Sequence, residues 1–76
     1  MFNQTKNKIT EFVKNLHPGK LVRIRYMDGD EVAMYVTRSK DKKTWQRMYY
    51  FLAQGRITGI RHNMLMFVEE LNQSET

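Results

Sequence analysis

The sequence predicts a mainly β (α+β) fold: an N-terminal amphipathic helix followed by a small barrel of four or five antiparallel strands. Three observations predict it. Apolar residues recur at helical spacing near the N-terminus. Beyond the sole proline, apolar and polar residues alternate in short runs broken by Gly, Asp and Asn. The chain has 76 residues and no cysteine, so it must rely on one small core, and a sheet bent towards closure supplies one while leaving few exposed edges. It reads as a single domain: helix and connection over 1–19, barrel over 20–71, and a disordered polar tail at 72–76.

Residues 5–16 carry the helical pattern. Ile9, Phe12, Val13 and Leu16 share one face, and Lys6, Lys8, Thr10, Lys14 and Asn15 fill the others. Thr5 or Asn3 caps the start, and Pro18-Gly19 stops the helix after His17. So short a helix is marginal alone and needs a surface to pack on. Residues 20–27 form a strand with Val22, Ile24 and Tyr26 on one face and Arg23 and Arg25 on the other. Asp28-Gly29-Asp30 is a hairpin turn signal. The return strand, 31–38, sets Val32, Met34 and Val36 opposite Ala33, Tyr35 and Thr37. Residues 39–43 read as a charged loop. A third strand, 44–52, is rich in aromatics and apolar on both faces near its end, as a central strand would be. After a turn at Gly55, 57–61 is a short strand or tight turn. His62-Asn63 turns again, and 64–71 is a fifth strand, with a short terminal helix as the competing reading. As a strand it would set Met64, Met66 and Val68 opposite Leu65 and Phe67.

The longest apolar run, 48–53, is too short to span a membrane, and no basic head precedes an apolar stretch at the N-terminus. The chain therefore reads as soluble and cytoplasmic. Its net charge of +5 is unevenly placed. Ten Lys and Arg residues lie between Lys20 and Arg61 against four acids, whereas from His62 onward there are three acids and no base. A basic middle invites a polyanion, DNA, RNA or an acidic protein surface.

No catalytic or metal constellation emerges. His17 sits at the helix end, where a cation suits the helix dipole, and His62 lies far from it in a predicted turn. With no cysteine and no paired histidines a zinc site is not indicated. Asp28, Asp30 and Glu31 lack the other positions of a calcium loop and read as a solvated hairpin tip. Ser39 has no adjacent base, and the GRITG run lacks the Lys-Ser/Thr of a phosphate-binding loop. The expectation is a non-enzymatic protein without cofactor, metal or small-molecule substrate.

The run FVKNL, then GKLVRIRYMDGDEVAMYVTR and later QRMYYFLAQGRITGIRHN, resembles the small SH3-like and Sm-like barrels, bacterial Sm-like RNA chaperones among them. The chain departs from that pattern at three places. Val32-Ala33-Met34 stands where Sm proteins carry a glycine at a sharp bend. Tyr49-Tyr50-Phe51 lacks the cations of the bacterial RNA-binding Tyr-Lys-His. Residues 64–71 follow the point where the Sm core would end. The compact single-domain SH3-barrel proteins of phage genomes are similar in size and style, and many of those bind host machinery. The resemblance implies a barrel, and a role by binding rather than catalysis.

Two binding surfaces are expected. One is a basic and aromatic face of Arg23, Arg25, Lys40, Lys42, Lys43, Trp45 and Arg47, on which cations track phosphates while Trp45, Tyr35 or Tyr49 stacks on bases. The other is an apolar edge of Met64, Met66 and Phe67, suited to a second copy or a partner protein. The leading expectation is protein–protein interaction, as a homodimer and as a phage-type inhibitor or modulator of a host factor. The alternative is an RNA- or single-stranded-DNA-binding module.

Overall fold

The computed structural model describes residues 4–27 and 29–71. Helix α1 (Lys6–Lys14) is followed by β1 (Leu21–Tyr26), β2 (Gly29–Lys40), β3 (Arg47–Ala53), β4 (Arg56–Arg61), a 3-10 turn η1 (His62–Met64) and β5 (Leu65–Glu70). The strands form one antiparallel sheet in the order β4-β3-β2-β1-β5. The protein is mainly β with one N-terminal helix, as the alternation requires, and the fifth segment is a strand. The predicted tail, 72–76, lies outside the described residues.

Helix α1 starts where Thr5 Oγ1 accepts the Lys8 N–H at 3.2 Å. It ends at Asn15, so the C-cap is Asn15 and not His17. Ile9 and Val13 are completely buried against the sheet, each worth about 2 kcal/mol of apolar transfer. Lys6 fastens the helix from its other side, its ammonium donating to the carbonyls of His62 (3.3 Å), Asn63 (3.1 Å) and Leu65 (2.9 Å). Past the helix, Gly19 adopts φ +94°, and its N–H reaches the Tyr35 carbonyl at 2.8 Å.

Directly paired residues share a face, so the register fixes what points inward. Val22 opposes Ala33, Tyr35 opposes Phe51, and Tyr49 opposes Ile60; all six are core. Two β-bulges then break the simple alternation. In β2 the register shifts between Tyr35 and Thr37, so Arg38 opposes Tyr49 and Lys40 opposes Arg47. The inward set thus passes from Ala33 and Tyr35 to Arg38 and Lys40, which strict alternation would have placed on the other side. In β5 the shift opposite Arg25/Tyr26 puts both Leu65 and Val68 in the core, correcting the expected split of Val68 from Leu65.

The hairpins also differ from expectation. Tyr26 pairs with Gly29, and Met27 takes the positive φ (56°), so the first turn lies one residue earlier than Asp28-Gly29-Asp30 implied. Strand β2 continues through Ser39 and Lys40, where their polarity predicts a loop, and β3 begins only at Arg47, leaving Trp45 outside the sheet.

Candidate nucleic-acid interface

Past the β2 bulge, β2 and β3 run on as an arm, Arg38–Lys40 against Arg47–Tyr49, which β4 joins at Met48 and Tyr49 through Arg61 and Ile60. The arm's end is shaped by Asp41. Its N–H donates to the Gln46 carbonyl (2.8 Å), its carbonyl accepts the Trp45 N–H (2.7 Å), and its Oδ1 accepts the N–H groups of Lys43 (2.8 Å) and Thr44 (3.3 Å). That wrapping holds Trp45 at φ +61°, a left-handed conformation unusual for a bulky side chain, with 70% of its surface exposed. Lys40 Nζ lies 5.2 Å from its ring centroid.

The arm's inner side faces α1. A groove of roughly 390 Å³ runs between them, lined by Thr10 and Lys14 of the helix and by Arg38, Lys40, Arg47 and Tyr49 of the arm, with Glu11 the single acid. A second hollow of roughly 240 Å³ shares Lys40 and Arg47 and adds Trp45, Arg61, His62 and Asn63. Lys40 and Arg47 line both hollows, which therefore adjoin, and together they form the basic trough of this face. Arg47 is steadied by a 3.3 Å hydrogen bond to Thr10 Oγ1, which itself donates to the Lys6 carbonyl at 3.0 Å.

Tyr49 forms the trough's floor. It is 2% exposed, and its hydroxyl shares a 2.8 Å hydrogen bond with Nδ1 of His62. Burial raises the Tyr49 phenol above its ordinary pKa, against the pull of the Thr10 hydroxyl and of Arg47 and Arg38. Burial also lowers His62 below the usual imidazole value, helped by the charges of Lys6 and Arg47.

The structure divides the basic face read from sequence. Lys40, Trp45 and Arg47 come together, with Lys42 and Lys43 exposed on the adjoining loop. Arg23 and Arg25 lie on the outer face of β1 and do not join Arg47. Arg23 sits between Val32 and Glu69 across the strands. Arg25 Nε donates to Asp30 Oδ1 at 2.7 Å, and its guanidinium lies 5.0 Å from the Phe67 ring centroid. Tyr35 and Tyr49 are buried, so neither offers a ring for stacking. Two acids at the first turn are likewise engaged, Asp30 by Arg25 and Glu31 by the Tyr26 hydroxyl at 3.1 Å, and Asp28 lies outside the described residues. Lys14, Arg38, Arg61 and His62 were not singled out as interface residues. Arg38 and Arg61 belong to the basic middle of the chain and Lys14 does not; a bulge, a turn and the docking of α1 bring them together, and none of these leaves a mark in periodicity.

The expected apolar edge is partly occupied. Gln4 runs alongside β5, its N–H donating to the Met66 carbonyl (2.9 Å) and its side chain exchanging hydrogen bonds with both backbone groups of Val68 (3.1 and 3.0 Å). Met66 and Phe67 are half-buried, and Met64 is exposed on η1. A larger apolar surface lies on the sheet's outer face. Ile57, Leu52, Met34 and Leu21 are consecutive cross-strand partners, and Leu71, whose N–H donates to the Leu21 carbonyl at 2.9 Å, extends the row beyond β5. Ile57, in that row, and Val32, beside it, are 61% and 49% exposed.

No helix among the described residues is long and apolar enough to cross a membrane. No family model, curated protein or solved structure matches the chain.

Proposed function

We propose that this protein is a non-enzymatic binding module that holds single-stranded nucleic acid along the β2–β3 arm of an SH3-like barrel. One observation carries the reading: Lys14, Arg38, Lys40, Arg47 and Arg61 line one trough beside the exposed ring of Trp45. Cations spaced along a groove track a phosphate backbone, and an accessible indole takes an unstacked base, which a duplex does not offer. The barrel reading is supported by the connection between the sheet's outermost strands. In a flat five-stranded sheet β4 and β5 would lie ~19 Å apart. The turn between them, η1, holds three residues and reaches at most ~15 Å even when extended, so the sheet must curl.

The test is fluorescence of the sole tryptophan during titration with a short single-stranded oligonucleotide at increasing salt. Quenching that weakens steeply with salt is expected, and Arg38→Glu with Arg47→Glu should abolish it while Arg23→Glu on the far face leaves it largely intact. An Arg23→Glu variant as defective as the arm variant would rule out the trough as the site.

A second reading, docking of a partner protein or a second copy of this chain, is favoured by the apolar row across the outer face. Light scattering tests it. A dimer that Leu52→Lys with Ile57→Lys converts to monomer would support the reading; a monomer at every concentration would remove the homodimer.

A further inference from the structure

The hollow at the β4 end of the trough has a chemistry of its own. Lys40, Arg47 and Arg61 line it, and so does the imidazole of His62, half-buried and tied through Nδ1 to Tyr49. The groups around that ring come from every neighbouring element: Lys6 on α1, Lys40 on β2, Arg47 and Tyr49 on β3, and Arg61 on β4. Among the described residues lining the hollow there is no carboxylate. Burial first, and then the charges of Lys6 and Arg47, disfavour the charged form of the ring, and an anion seated in the hollow would oppose those charges. Trp45 forms the hollow's rim, so a nucleotide whose base meets the indole delivers its phosphate here.

We propose that this hollow is the seat of one phosphate group of the bound strand, and that His62 takes up a proton when the phosphate arrives. The inference rests on the nucleic-acid reading above and adds to it a site and a pH dependence. Linkage makes the two events reciprocal: a phosphate that favours the charged ring is held more tightly when the ring is charged. The buried Tyr49 hydroxyl, which burial keeps protonated, accommodates both states, since it donates to a neutral Nδ1 or accepts from a charged one.

Oligothymidylate is the probe, because neither thymine nor a phosphodiester titrates near neutral pH. Nuclear magnetic resonance separates the rings of the two histidines, His17 and His62. With the strand bound, the His62 titration should move to higher pH. Affinity should tighten roughly tenfold between about pH 7.5 and about pH 5.5, the equivalent of one pKa unit. In His62→Gln most of the tightening between the two pH values should be lost. If oligothymidylate binds and quenches Trp45 but leaves the His62 titration unmoved, the phosphate seat lies elsewhere and this inference fails while the nucleic-acid reading stands. If it does not bind at any pH, both fail.

Discussion

The ring of Tyr50 lies across Gly59, its cross-strand partner: a Cβ at position 59 would fall 2.9 Å from Tyr50 Cε1 and 3.2 Å from the Met48 methyl carbon. The missing side chain on β4 is thus replaced by an aromatic ring from β3. Gly59→Ala should force that ring to shift; on this exposed face the restraint that alanine puts on the unfolded chain offsets part of the cost, leaving a net loss of about 1 kcal/mol. Thermal unfolding measures the loss. In a double-mutant cycle with Tyr50→Ala the two costs should fall short of additivity. Strict additivity would show that the ring and the glycine do not interact.

Ile9 is the deepest apolar contact that the helix makes with the sheet. Ile9→Ala should cost about 2–5 kcal/mol in urea unfolding, a large share of the stability of a domain this small. A cost below about 1 kcal/mol would mean that α1 contributes little beyond its polar ties through Lys6.

His62 also gives stability a pH dependence. Its folded pKa is depressed, so the unfolded state binds the proton more readily. Its contribution is therefore fully present above the unfolded value near 6.5 and is lost as pH falls through that value to the folded pKa. Denaturant unfolding of the wild type and of His62→Gln should diverge in that window and run parallel above it. Curves that stay parallel down to acid pH would show that His62 titrates alike in both states.

Trp45 separates binding from stability. Trp45→Gly removes the stacking ring, worth about 1–3 kcal/mol of strand binding. In the fold, relief of a left-handed backbone (~1–2 kcal/mol) offsets the lost contact with Lys40 (~0.5–1 kcal/mol) and glycine's extra chain entropy (~0.5–1 kcal/mol). The melting temperature should hardly move while affinity falls about tenfold or more. A protein that unfolds on this change would make Trp45 a structural residue.

Much of the fold was readable because its causes are local. Helix α1 follows from the spacing of Ile9, Val13 and Leu16, and β1 from the alternation of Val22 and Ile24 with arginines. The candidate interface was legible only in part. Lys40, Trp45 and Arg47 were readable because charged and aromatic residues crowd one stretch of chain. Arg38 was not, because one extra residue in β2 moves it from the outer face to the inner one.

By itself, then, the sequence determined the N-terminal helix, the first hairpin, the mainly β character, the surplus of positive charge and the lack of cysteine chemistry, while 57–61 stayed open between strand and turn and 64–71 between strand and helix. Tertiary structure decided which charges act together. Arg23 and Arg25 meet Glu69, Asp30 and Phe67 across the sheet, whereas Arg38, Arg61 and Lys14 join Lys40 and Arg47 around one trough. Strand register, two bulges and the docking of α1 make that choice. All three depend on contacts between residues distant in the chain, which no local pattern records.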